Sequence, residues 1–312
     1  MRSVICIGFL LISSLAFYSC NSSEGSANTR GIKKPSFQSI KGIRFTEVRR
    51  SFENGLAFNE IGFQQEPEWV MEFLSDDSVK VYSPERKRFF HFPVTFSHDS
   101  VFNFAGEWFR FKQLGQDSLL LQLLKVESRV VSKEMSNVLM KFYSDAYINK
   151  VFHGNLDSLR KPKKRDTLFI RSLAEKANRN PGNIDSAFAA RNPVVLKSKS
   201  PVIEVKKLQV EKDPLNNISL SDAYIHPTFY ITINKAYKDF NHSFLVLVDN
   251  KGIMHYGKPL EFIMPEFEES KKRVSKGIME VYLQNLLEIT PGNTLGLPHT
   301  SLVSLHVIGK SR

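Results

Sequence analysis

Cysteine is almost absent. The chain has 312 residues and two cysteines, Cys6 and Cys20, both within the first twenty positions. No intrachain disulfide is available to the rest of the chain, so its fold rests on ordinary cores and not on covalent staples. Metal-ligand spacing is lacking too. His91, His98, His153, His226, His242, His255, His299 and His306 are scattered, and none forms a His-x3-His pair, so no metal site is expected. Neither a glycine-rich phosphate loop nor a Gly-x-Ser-x-Gly turn occurs. The paired carboxylates Glu66 and Glu68, and Asp76 and Asp77, lie in turn-like stretches where such neighbours usually face solvent. The sequence therefore predicts no catalytic, cofactor-binding or metal-binding residues, and a protein that is not an enzyme.

An apolar run of bilayer length is the next absence. Val4 to Ile12 is apolar, but a transmembrane helix needs about 20 such residues. With Arg2 before it and Ser13 to Ser19 after it, this run reads as a secretory signal.

Charge is unbalanced. Lys and Arg number 43 against 32 Asp and Glu, a net charge of +11. Such an excess favours anionic surfaces, or is spread over solvated basic loops. No nucleic-acid-binding motif accompanies it, and no nucleic-acid partner is expected.

Ser19 followed by Cys20, after the apolar run, resembles the lipobox of bacterial lipoproteins in the loosened form found in Bacteroidota. The resemblance implies removal of residues 1–19, thioether lipidation of Cys20 and N-acylation. It places the protein at the cell envelope, as an outer-membrane lipoprotein facing the periplasm or the cell surface. Two or more acyl chains hold a protein stably where one does not. Residues 20–44 then read as a flexible tether, because Asn21 to Asn28 is small and polar and no apolar period follows.

Residues 45–153 read as β-rich. Val48, Phe52 and Leu56 recur at helical spacing, so a short helix or loop is expected over Phe45 to Phe58. Beyond it, short apolar runs alternate with turn signals. Three turns carry Asp-Ser, at Asp77-Ser78, Asp99-Ser100 and Asp117-Ser118, and Asp closes such turns by bonding the backbone two residues on. One hairpin per interval gives an antiparallel meander, which curls or closes to hide its edges. Pro93 marks an edge or bulge. The pattern resembles the lipocalin-like lipoprotein domains of Bacteroidota. Trp69 and Trp108, with nearby phenylalanines, either line a cavity for a hydrophobic small molecule or fill a small barrel.

Residues 154–217 read as a basic linker or long insertion, in which a short helix fits Ile170 to Lys176 or Ile184 to Ala190. Arg160 to Arg165 is a basic run, and Pro193, Pro201 and Pro214 punctuate the stretch. The run either meets anionic headgroups or is solvated.

Residues 218–312 are the most legible. Strands are expected at Thr228 to Ile233, Ser243 to Val248, Ile253 to Tyr256 and Leu302 to Ile308, with a turn at Asp249 to Gly252. A helix is expected from Pro265 to Leu287, with Pro265 at its first position, acids in its first turn and a break at Gly277. Its buried face would carry Val274, Ile278, Val281, Tyr282 and Leu286. Val246 to Ile253, Ile289 to Pro298 and the closing strand together resemble the C-terminal domain of the TonB family. That implies a compact sheet-and-helix unit able to receive a partner protein at a sheet edge. Energy-transducing members also carry a membrane helix and a proline-rich rod, so this domain reads as a reused interaction module. The whole is an α+β protein: an N-terminal antiparallel meander or small barrel, then a TonB-like sheet with a helix.

Overall fold

Hairpin turns lay out the N-terminal unit. The computed structural model describes residues 36–97, 100–128, 130–211 and 219–311. The strands are β1 Arg44–Phe52, β2 Val70–Ser75, β3 Ser78–Ser83 and β4 Arg88–Pro93. There follow β5 Thr95–Phe96, β6 Val101–Phe104, β7 Glu107–Leu114 and β8 Ser118–Leu124. A small hairpin, β9 Val126–Glu127 and β10 Val130–Val131, precedes β11 Val138–Ser144. Asp77-Ser78 joins β2 to β3 and Asp117-Ser118 joins β7 to β8, at the expected turn positions; the Asp77 carboxylate accepts from the Ser75 hydroxyl and not from a backbone amide two residues on. Asp99 of the third pair lies outside the described residues.

The large sheet runs β4-β3-β2-β1-β11-β8-β7-β6-β5. Its two end strands, β4 and β5, are successive parts of one extended run interrupted only at Val94. Pro93 cannot donate to a ladder, which suits this corner. The sheet therefore curls into a nearly closed barrel. Phe45, Phe73, Phe102, Phe109, Leu119, Leu121 and Phe142 are fully buried in it. Ring centroids 4.5 Å apart for Phe102 and Phe111, and 4.6 Å for Phe104 and Phe109, show an interior filled by side chains. Trp69 belongs to this filling, edge-on to Phe104 and Phe109.

Two expectations fail at the start of this unit. The helical spacing of Val48, Phe52 and Leu56 does not make a helix, because β1 is paired on both sides, with β2 and β11. Ladder bonds on two edges outweigh three apolar residues at helical spacing. The tether is also shorter than expected. Phe37 and Ile40, around a 3-10 turn at Gln38–Ile40, are fully buried in the barrel core. Phe37 stacks on Phe73 at 3.8 Å, and its amide donates to Asp76 at 2.6 Å.

The stretch read as a linker is folded. Three helices follow β11: α1 Asp145–Phe152, α2 Leu156–Arg160 and α3 Lys164–Arg179. Ile148 and Leu159 pack on Val48. Ile170, Ala174 and Ala177 of α3 recur at helical spacing and bury against Ala57, Phe58 and Phe188. Helix α3 contains the segment Ile170 to Lys176 where the sequence allows a helix and begins earlier, inside the basic run, whose Lys161, Lys163, Lys164 and Arg165 are exposed at the α2–α3 junction.

The C-terminal unit holds β12 Val195–Ser198, β13 Ile203–Lys207, α4 Asp222–Ile225, β14 Thr228–Asn234, β15 Phe240–Val248 and β16 Met254–Pro259. Then come α5 Pro265–Ile278, a π turn at Met279–Leu283 and α6 Gln284–Leu286. The chain ends with β17 Leu287–Thr290, β18 Asn293–Thr294, β19 Leu297–Pro298 and β20 Ser301–Lys310. The mixed sheet runs β13-β14-β20-β15-β16, with β14 and β20 parallel. Val303, Leu305 and Val307 meet Ile278, Met279 and Leu283 in one core. Val281 is exposed, contrary to its expected place inside. The helix passes through Gly277 unbroken and widens at the π turn, which rotates the residues beyond it.

Loop 53–69 joins the two units. Gly62 has φ +86°, and a Cβ there would stand 2.3 Å from the Ala189 carbonyl oxygen. The Ala189 amide donates to the Ile61 carbonyl at 3.0 Å. Arg191 donates to Gln64 at 3.1 Å and pairs with Glu66, and the Gln64 amide donates to the Tyr224 hydroxyl at 3.1 Å.

Candidate functional site

The most unusual surface begins where β16 leaves the sheet. Asp249 starts the preceding hairpin turn and accepts from the amides of Lys251 and Ile253 at 2.8 and 2.9 Å, and from His255 at 3.1 Å. Burial raises its pKa, but those bonds outweigh burial and hold the carboxyl below its ordinary range. The turn is thus fixed, and with it the course of β16. Among the described residues β16 pairs only with β15 and forms one edge of the sheet. The opposite edge, β13, is guarded by exposed Glu204, Lys206 and Lys207.

Beyond β16, Leu260, Phe262 and Met264 alternate toward the start of α5, and Phe267 follows in its first turn. Phe262 is 90% exposed, Met264 55% and Phe267 57%. Glu266 and Glu268 flank Phe267. Glu261 pairs with Lys271 and Glu269 with Lys272, at 3.4 and 3.1 Å. Burial raises the Tyr256 phenol on β16, and Glu268 and Glu269 raise it further. The acids of α5 therefore stand close to the sheet edge. The result is an exposed apolar strip with Glu266 and Glu268, unpaired among the described residues, and two acid–lysine pairs beside it.

Other polar groupings are structural. Glu47 and Asp166 are fully buried. Glu47 accepts from Arg50 at 2.7 and 2.8 Å and from the amides of Glu68 and Trp69. His299 is fully buried on Phe188, with Thr294 and the Thr300 carbonyl as partners. Ser243 and His306 are 2.8 Å apart on the open face of the C-terminal sheet, and His306 stacks on Tyr230. A cleft of about 490 Å³ between loop 53–69 and that sheet face is lined by Ile61, Phe188, Ile225, Leu245 and Leu302. Among the described residues no cluster of three His, Cys, Asp or Glu could hold a metal, and no helix is long and apolar enough to cross a membrane.

The expected lipidation site, Cys20, lies outside the described residues, as do the signal and most of the tether. Trp69 fills the barrel, whereas Trp108 lines a shallow rim cleft with Phe92 and Pro93. Asp76 and Asp77 are turn residues, and Glu66 is paired with Arg191. Sequence reasoning missed the strip. Its signal is the alternation of Leu260, Phe262 and Met264 between a strand and a helix.

No protein-family model matches the chain, and a comparison with curated proteins finds no match.

Proposed function

We propose that the protein is an outer-membrane lipoprotein, held by lipid on Cys20, whose C-terminal unit docks another envelope protein. One observation carries the docking role: the exposed strip of Leu260, Phe262, Met264 and Phe267 beside a sheet edge. Large apolar side chains exposed close together in the chain are unfavourable in water and favourable once covered. The order of strands and helix in the last third supports a resemblance to the TonB C-terminal domain. The alternative, a lipocalin-like carrier of a hydrophobic small molecule, has less support, because aromatic side chains fill the barrel interior.

Two experiments test this reading. Crosslinking in native envelopes should give partner adducts that Phe262→Ser with Phe267→Ser removes. Adducts unchanged in that variant would overturn the docking role. A palmitate analogue should label the wild type and not Cys20→Ser, and label persisting in Cys20→Ser would overturn the anchor.

A further inference from the structure

The cleft between loop 53–69 and the open face of the C-terminal sheet is built by both units. Its floor is Leu245 of β15 with Leu302 and Ser304 of β20. These stand side by side, because Leu245 is opposite Ser304 in the ladder and Leu302 lies two residues back on the same face. Its walls are Ile61 of loop 53–69, Phe188 beyond a 3-10 turn at Ile184–Ser186, and Ile225 at the end of α4. The volume of about 490 Å³ falls within the range of small-molecule sites, about 300–1,000 Å³, and such sites favour the joins between units.

Three backbone features hold this shape. The Ala189 amide donates to the Ile61 carbonyl at 3.0 Å and ties one wall to the other. Ile184 lies over the bare backbone of Gly257, where a Cβ would stand 3.4 Å from its Cδ1 and 2.9 Å from the Leu245 carbonyl oxygen. The β15–β16 register jumps from Phe244–Pro259 to Val246–Tyr256, so Gly257 and Lys258 together oppose the single residue Leu245. This is a β-bulge at the cleft floor, a device common beside binding sites because it re-aims the chain.

The lining grades from apolar to polar. Leu302 and Leu245 lie beneath Ile61 and Phe188 at one end. The Ser304 hydroxyl is half-buried and forms no hydrogen bond among the described residues. Ser243 and His306 continue the same face beyond it. Charge is confined to the margin, where Glu60, Asp185 and Lys258 are exposed and form no ion pair among the described residues. Two carboxylates face one ammonium there.

We infer that this cleft binds a small uncharged amphipathic molecule, with an aliphatic body on Leu245, Leu302 and Phe188 and a hydroxyl or amide head at Ser304. The apolar floor gains by covering an aliphatic body. A charged head at the floor would lose water with no opposite charge to meet it, and the two carboxylates at the margin disfavour an acid. No described residue of the Leu260–Phe267 strip lines the cleft, so the site is separate from the docking surface. It places a hydrophobic ligand at the join between units and not in the barrel, which is filled.

Photolabelling tests it on the full lipidated chain in detergent, with a decanol that carries a diazirine. Peptides containing Ile61, Phe188, Leu245 and Leu302 should label at least about tenfold above those containing the exposed Val130 and Phe262. Excess plain decanol should remove the cleft adducts, and excess decanoate should not. Leu245→Trp and Ser304→Trp each place a large ring on the floor and should cut cleft labelling by a similar factor. The competition in wild type stands whether or not either variant folds. Labelling that follows exposure alone, or that decanol does not compete, overturns the proposal. Decanoate competing as well as decanol overturns the uncharged class. Cleft adducts found with purified protein and absent in intact envelopes would mean that a protein covers the cleft, and overturn it as well.

Discussion

Both terminal nitrogens of Arg49 donate to the carboxylate of Asp166, at 3.0 and 3.1 Å, across the join between the barrel and α3. The same carboxylate accepts from the amides of Ala57 and Lys163, at 2.8 and 2.6 Å. One fully buried side chain thus ties β1, loop 53–69 and the start of α3 together. Burial pushes its pKa up, but the bonds from Arg49, Ala57 and Lys163 outweigh burial and hold it below the usual range. Asp166→Ala strands the Arg49 guanidinium and two amides. It should lower unfolding free energy by about 3–5 kcal/mol in urea melts, the usual range for breaking a buried pair. A loss under 1 kcal/mol would show that the clamp does not organise the join.

His299 makes stability depend on pH. Burial lowers its pKa to about 4, with a smaller opposing effect from its bond to the Thr300 carbonyl. The unfolded chain protonates this residue near 6.5, and the folded chain near 4. Between those values the unfolded state binds more protons, so stability falls as pH falls. The stabilisation is complete above 6.5 and lost as pH passes down to about 4. Going from pH 7 to pH 5 should cost about 2 kcal/mol from this residue alone. Urea melts of wild type and His299→Gln at both pH values measure the difference, and equal slopes would exclude the assignment.

Gly62 sets the approach of the two units. Ala at this position meets both a positive φ and the Ala189 carbonyl. Gly62→Ala should destabilise the join by about 1–3 kcal/mol. Calorimetry should then resolve two transitions where the wild type gives one, whereas Gly106→Ala, with open space around its Cβ position, should leave the join intact.

Phe37 lies in a stretch that reads as tether, yet it closes the barrel core. Phe37→Ala should cost about 3–5 kcal/mol, as for other fully buried aromatics. Phe262→Ala, at an exposed position, should change unfolding free energy by less than about 0.5 kcal/mol. Equal effects at the two positions would contradict the packing described for both.

Local chemistry alone already marks much of this chain. Asp77-Ser78 and Asp117-Ser118 mark their hairpins, because short polar residues between two apolar runs favour a turn whatever lies elsewhere in the chain. Val303, Leu305 and Val307 show the buried face of the last strand, because a period of two needs no partner to be read. Pro265 and the acids after it mark where α5 begins. Long-range contacts decided the rest. β1 is a strand because β2 and β11 pair with it. Phe37 and Ile40 are core because the barrel end accepts them, although two apolar residues show no period. Helix α3 shows in the sequence as a short segment from Ile170, and its start inside the basic run is set by Asp166, which accepts from Lys163, Ala57 and Arg49. Val281 turns outward through a π turn that its own residues do not announce. The exposure of Phe262 was equally hidden, since an aromatic side chain is read as core until the fold shows that none of the described residues covers it.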